Sequence, residues 1–231
     1  MMRRIAAGVA AILAQVALAF PADAIGNRQG SGLERAPGRS KCFVFKDSFN
    51  ANSLGSWFSA TGAWSVEDGR LVGTGWGGGI DAWAYVLPYS RALGPITIDV
   101  DVEFINGNAE IVLNSTGHWR NEYRVSFWWS ESPDYPNSYQ VARYRDYEWT
   151  QLTDDNVPTS VPIPRQAHLT VKRAGDTISL YDNGELVDAI TDPEPLPAVG
   201  AFGLGVVWDY TASYDNFVVR AGRCASMKVW T

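Results

Sequence analysis

After residue 40 the chain alternates apolar and polar residues at period two along almost its whole length, and no stretch carries a convincing helical period. Near the start, Cys42-Phe43-Val44-Phe45-Lys46-Asp47-Ser48-Phe49-Asn50 reads as a strand, and so does Ala212-Ser213-Tyr214-Asp215-Asn216-Phe217-Val218-Val219-Arg220 near the end. Between them similar runs occupy 71–72, 82–87, 95–105, 109–114, 123–129, 139–145, 168–172, 177–181, 186–190 and 202–208, separated by turn residues. Asn183-Gly184 sits between two such runs and predicts a type I′ hairpin, because both residues tolerate the positive φ that turn requires. Many short antiparallel strands in one domain predict an all-β fold, an antiparallel two-sheet jelly-roll sandwich. The only two cysteines flank the first and last strands, so the simplest arrangement sets those strands side by side with Cys42 and Cys224 joined by a disulfide.

The first 24 residues follow a different pattern. Arg3 and Arg4 precede an apolar run from Ile5 to Phe20, and Ala22-Asp23-Ala24 supplies a small-x-small cleavage pattern. This predicts a signal peptide over 1–24; Gln15 interrupts a run already shorter than the roughly 20 apolar residues of a membrane span. Residues 25–40, rich in glycine and without period, predict a flexible linker, and 41–231 the jelly-roll domain with a short C-terminal tail. A secreted or periplasmic location is oxidising, which favours the disulfide. Removing Arg3 and Arg4 from 19 basic residues and Asp23 from 25 acidic ones leaves 17 and 24 over 207 residues, a net charge of about −7. Such a domain lacks the basic footprint that nucleic acid or anionic lipid requires, and nothing after Ala24 is long and apolar enough to span a membrane. A monomer is expected.

Three segments, Asp47-Ser48-Phe49-Asn50, Trp64-Ser65-Val66-Glu67-Asp68-Gly69-Arg70-Leu71 and Ile96-Thr97-Ile98-Asp99-Val100-Asp101-Val102, resemble the concanavalin A-like lectin/glucanase superfamily, particularly its laminin-G-like and keto-disaccharide-hydrolase-like branches. The 176–187 hairpin, Gly200-Ala201-Phe202-Gly203-Leu204-Gly205 and Tyr214-Asp215-Asn216-Phe217 are similar to its later strands, so the resemblance covers roughly 41–220. It implies a fold that binds or cleaves carbohydrate on a concave sheet, with a structural calcium in many members. Asp47 and Asp215, on the first and last strands, are the candidate carboxylates for that ion, though it needs 6 to 8 oxygens; the alternative role for both is to accept from turn amides. No organic cofactor is implied.

Ten tryptophans and ten tyrosines suit sugar recognition, because aromatic planes stack on the C–H face of a sugar ring while planar polar groups engage its hydroxyls. Sorting each strand by alternation places Trp128 with Glu122, Arg124 and Ser126, and Trp129 with Tyr123, Val125 and Phe127. The same sorting selects Glu110, Asn114, Arg124, Trp128, Tyr139 and Arg143 as a ligand-binding surface, with Gly203 and Gly205 allowing close approach; the alternative is an ordinary solvated sheet face. Asp99, Asp101 and Glu103 are similar to the E-x-D-x-E motif of retaining glucanases on this fold, with aspartate at the nucleophile position. The alternative is the acidic alternation of any half-exposed strand. His118, in a turn-like segment, is a candidate lyase base, with Tyr123 or Arg124 to neutralise a uronate; the alternative is an exposed loop histidine, and His168 carries no assigned chemistry. Gly73-Thr74-Gly75-Trp76-Gly77-Gly78 matches G-x-G-x-x-G literally, but no helix follows it, which removes the dinucleotide reading. The expected function is a secreted carbohydrate-binding domain; the alternative is a polysaccharide-degrading enzyme, a glycoside hydrolase or a lyase.

Overall fold

The computed structural model describes residues 42–50, 54–75, 82–89, 94–117, 119–132, 134, 136–154, 157–159, 163–222 and 224, without the side chains of 42 and 82–89. The predicted signal peptide and linker, His118 and Trp76 to Gly78 lie outside these residues. Sixteen strands occur among the described residues: β1 (Cys42–Asp47), β2 (Trp57–Thr61), β3 (Ala63–Glu67), β4 (Arg70–Thr74), β5 (Ala82–Tyr89), β6 (Ile96–Asn106), β7 (Asn108–Ser115) and β8 (Asn121–Trp128), then β9 (Ser138–Arg145), β10 (Glu148–Gln151), β11 (Val157–Pro158), β12 (Gln166–Ala174), β13 (Thr177–Asp182), β14 (Glu185–Thr191), β15 (Gly200–Val206) and β16 (Thr211–Gly222). They form two antiparallel sheets of a jelly-roll sandwich. The first sheet runs β14-β13-β12-β6-β16-β4-β3 with β1 also on β16, and the second runs β10-β9-β8-β7-β15-β5-β2 with β11 also on β9.

Alternation builds the core between the sheets. From the first sheet Ile98, Val100, Val102 and Phe104 of β6 point inward; from the second, Ile111, Leu113, Val125, Phe127 and Val141 do so, all buried. Each such side chain contributes about 1.5–3 kcal/mol by leaving water. The two ends of the chain pair as the sequence predicts, with Cys42 opposite Gly222 and Asp47 opposite Phe217. The predicted hairpin is present too: Asp182 pairs with Glu185, and Asn183 and Gly184 between them have φ of 47° and 84°.

A buried polar network closes one end of the sandwich. The Tyr123 hydroxyl donates to Asp192 Oδ2 (2.7 Å) and accepts from Leu196 N (2.8 Å), and Arg143 Nη1 pairs with Asp192 Oδ1 at 2.6 Å. Arg173 of β12 hydrogen-bonds Asn114 Oδ1 and Leu196 O, and its guanidinium lies 4.8 Å from the Tyr123 ring centroid. These bonds fasten the segment after β14 over the core and satisfy groups that burial would otherwise leave costly.

A candidate aromatic cleft on the outer face of the second sheet

Register assigns each side chain of the second sheet to one of its two faces. Glu110, Ser126 and Gln140 lie opposite one another, as do Val112, Arg124 and Ala142, and Asn108, Trp128 and Ser138. All of these share the face turned away from the core. Of the six residues the sequence groups as a ligand surface, Glu110, Arg124 and Trp128 are therefore together. Tyr139 and Arg143 are not: they share the inward face of β9 with Val141, which is in the core. Tyr139 donates to Asp188 Oδ2 at 2.5 Å, and burial together with that carboxylate pushes its hydroxyl pKa well up. Asn114 departs from alternation because its φ is 57°, and its side chain donates to Val199 O at 3.3 Å and accepts from Arg173.

At the Trp128 end this face opens into a cleft of about 1040 Å³. Trp128 packs against Trp208 (ring centroids 5.3 Å) and Tyr210 (5.8 Å), which pack on each other at 5.8 Å. Trp129 lines the same cleft and stacks on Phe104 of the core at 6.4 Å, with the Arg165 guanidinium 5.9 Å over its ring. Asn106, Ser130, Glu131, Ser132, Ser138 and Gln140 supply amide, hydroxyl and carboxylate groups around the aromatic wall.

Buried hydrogen bonds fix the loops that carry these rings. Asn108, fully buried, donates to Phe127 O (3.3 Å) and accepts from Val207 N (3.2 Å), which anchors the turn bearing Trp208. Asn137 accepts from Ser130 N and donates to Ile163 O, both at 2.8 Å, which holds the loop after β8. Two glycines make room: a Cβ on Gly107, whose φ is 68°, would strike the Tyr210 ring, and one on Gly75 would strike the Trp208 carbonyl. Trp208 itself is 49% exposed with φ of 54°, a left-handed conformation that bulky L residues rarely adopt. Backbone strain of that kind, about 1–3 kcal/mol, gathers at sites of function. Sequence alternation places Trp208 at the end of a strand and Trp129 in the core and so marks neither for the cleft; the one local signal is an aromatic pair, Trp208 and Tyr210, in a turn between two apolar strands.

Asp99, Asp101 and Glu103 share a strand face, as their spacing predicts, but it is the outer face of the first sheet, on the other side of the sandwich from the sheet that bears Trp128. Asp99 accepts from Thr170 Oγ1 (2.7 Å) and pairs with Arg220; Asp101 lies 2.6 Å from His168 Nδ1 and accepts from Asn216 Nδ2 at 2.8 Å. Burial raises the Asp99 pKa, yet His168, Thr170 and Arg220 outweigh it and hold the carboxyl below its ordinary range. That keeps the carboxyl ionised, as a nucleophile requires, but its two oxygens are engaged by Thr170 and Arg220. Glu103 reaches the cleft only indirectly, through Arg165 at 3.8 Å. His168 is raised to about 9, first by Asp99 and, against the effect of burial, by Asp101. It is a charged link between two carboxylates.

Asp47 and Asp215, the candidate carboxylates for calcium, each have partners of their own. Asp47 accepts from Phe49 N and from Trp57 Nε1, both at 2.8 Å, and Trp57 packs inward against Phe217. Asp215 stands opposite Asp101 on the outer face, accepts from Asn216 N at 2.6 Å and pairs with Arg70 at 3.9 Å. The two carboxylates thus face opposite sides of the sheet, and two oxygens per carboxylate fall short of the shell a calcium ion requires.

Sheet order and register together define the class: an antiparallel two-sheet jelly-roll sandwich. The chain is similar to carbohydrate-binding module CBM66 from Bacillus subtilis, at 19% identity and a TM-score of 0.55, over 70% of this chain and 93% of that one. It is also similar to the CBM2 module of an evolved Dit of Lactobacillus casei BL23 phage J-1 (11% identity, TM-score 0.57, 84% and 100% covered). A third similar structure is xylan beta-1,4-xylosidase from Bacillus halodurans C-125, at 13% identity and TM-score 0.52, covering 84% of this chain but 41% of the enzyme. By sequence the chain matches no protein-family model and no curated protein.

Proposed function

We propose that this chain is a secreted carbohydrate-binding domain that takes a polysaccharide into the cleft of Trp128, Trp208 and Tyr210. The observation that carries this reading is the cleft itself: three rings within 6 Å of one another, one of them held half-exposed on a left-handed backbone, and ringed by hydroxyl, amide and charged groups. Aromatic faces supply the stacking surface and the polar rim the hydroxyl partners. The names of two structural neighbours, both carbohydrate-binding modules, support the same chemistry. A glycan array read alongside a reducing-sugar assay on the same polysaccharides tests it. Binding without release of reducing ends is the expected result; new reducing ends, or an unsaturated product absorbing in the ultraviolet, would replace it with a hydrolase or a lyase.

We further propose that residues 1–24 are removed on secretion and that Cys42 and Cys224 form a disulfide. The strand register supports the bond, since Cys42 stands opposite Gly222, two residues before the buried Cys224.

A further inference from the structure

The outer face of the second sheet carries a second aromatic group at the end opposite the cleft. Trp149 of β10 pairs with Tyr144 of β9, which pairs with Glu122 of β8, so both rings share the face of Trp128. Beneath them the Arg124 guanidinium lies 4.7 Å from the Tyr144 ring and 5.4 Å from that of Trp119. Trp149 is 51% exposed.

The adjoining hairpin is unusual. Arg145 pairs with Glu148, leaving Asp146 and Tyr147 as a two-residue loop with φ of 49° and 73°. That is the type I′ geometry in which glycine is favoured at the second position. A tyrosine stands there instead, 68% exposed, its amide held by Arg120 O at 3.1 Å. As at Trp208, a large ring is displayed on a backbone that disfavours it.

Between the two aromatic groups lie planar amides. Gln140 lines the cleft, and Gln151 stands opposite Ala142 two positions further along β9 on the same face. From Ser138, opposite Trp128, to Tyr144 is six residues of strand, about 20 Å at roughly 3.4 Å per residue.

We propose that Trp149 and Tyr147 form a distal platform, so that the ligand is the interior of an extended polysaccharide chain lying along β9 and β10 from the Trp128 cleft past Gln140 and Gln151. The inference rests on the cleft being the primary sugar site. It requires affinity to grow with chain length until the ligand spans both groups.

Oligosaccharides of graded length, cut from the polysaccharide the glycan array selects, would be titrated calorimetrically against the intact protein and two variants. With the unaltered protein, affinity should rise with length and then level off. Trp149→Ala and Tyr147→Gly should each weaken the longest oligosaccharides by about tenfold while leaving the shortest unchanged. Tyr147→Gly should also melt no lower than the unaltered protein, because glycine relieves the left-handed backbone, so lost affinity cannot be put down to misfolding. Length-independent affinity, or full affinity for long chains in both variants, would overturn the distal platform and leave the cleft standing. Failure of every length to bind would overturn the cleft as well.

Discussion

Arg143 shows how far a single residue's place depends on partners remote in sequence. Its guanidinium meets Asp192, itself fully buried, at 2.6 Å, and bonds Glu194 O at 2.6 Å. Arg143→Ala should cost about 3–5 kcal/mol in a urea melt, because it strands a buried carboxylate, and should leave glycan affinity little changed. The sequence could not orient β9. Its inward face reads Tyr139, Val141, Arg143 and its outward face Gln140, Ala142, Tyr144, each a mixture of polar and apolar groups. What decides the matter is Asp188 and Asp192, some 49 residues away. On β8 the contrast is sharper, and alternation alone put Trp128 on the outer face. His168 gives a second prediction at this scale. Its folded pKa of about 9 lies above the ordinary 6.5, so its stabilising charge is fully present below about pH 6.5 and is lost as pH rises through about 9. The ring is 44% exposed, so solvent screening limits the effect to about 1 kcal/mol. Melting temperature should therefore fall across that window, and His168→Asn should flatten the fall.

At the scale of elements, the cleft depends on turns more than on strands. The turn between β6 and β7 is a single glycine, Gly107, whose carbonyl accepts from Trp129 N at 2.6 Å and whose missing side chain admits Tyr210. Gly107→Ala should destabilise the domain by about 1–3 kcal/mol and displace the Tyr210 ring, which thermal melts and a glycan titration would register separately. Most of the longer strands were legible because period two persists over five or more residues. Short β10 and β11 were not, since four and two residues carry no period. Strand order was only partly legible: the matched ends of the chain pointed to β1 beside β16, whereas β15 lying between β7 and β5 follows from long-range packing that no local pattern records.

For the whole molecule, the sandwich separates two chemistries that the sequence alone could not tell apart. The acidic row of β6 forms a ladder with His168 and Arg220 on the outer face of the first sheet, while the aromatic cleft lies at the Trp128 end of the second, with Ile105 and Asn106 at the end of β6 in its lining. A polar alternating strand looks the same in sequence on either sheet. The chain ends complete the closure. With Cys42 and Cys224 joined, a loop of 182 positions would be constrained in the unfolded state, worth about 5 kcal/mol in the loop-entropy picture. Mass spectrometry of the secreted protein should find one intramolecular bridge, and a reductant should lower the melting temperature; two free thiols would remove this contribution.

The central claim is that carbohydrate is held by the rings of the outer-face cleft, and calorimetric titration of the array-selected glycan into the unaltered protein and Trp208→Ala tests it most directly. Trp208 is half-exposed, so the variant should stay folded, with a melting temperature within a few degrees of the unaltered protein. A loss of affinity of about tenfold or more is expected in that folded variant. Undiminished binding by folded Trp208→Ala would contradict the claim.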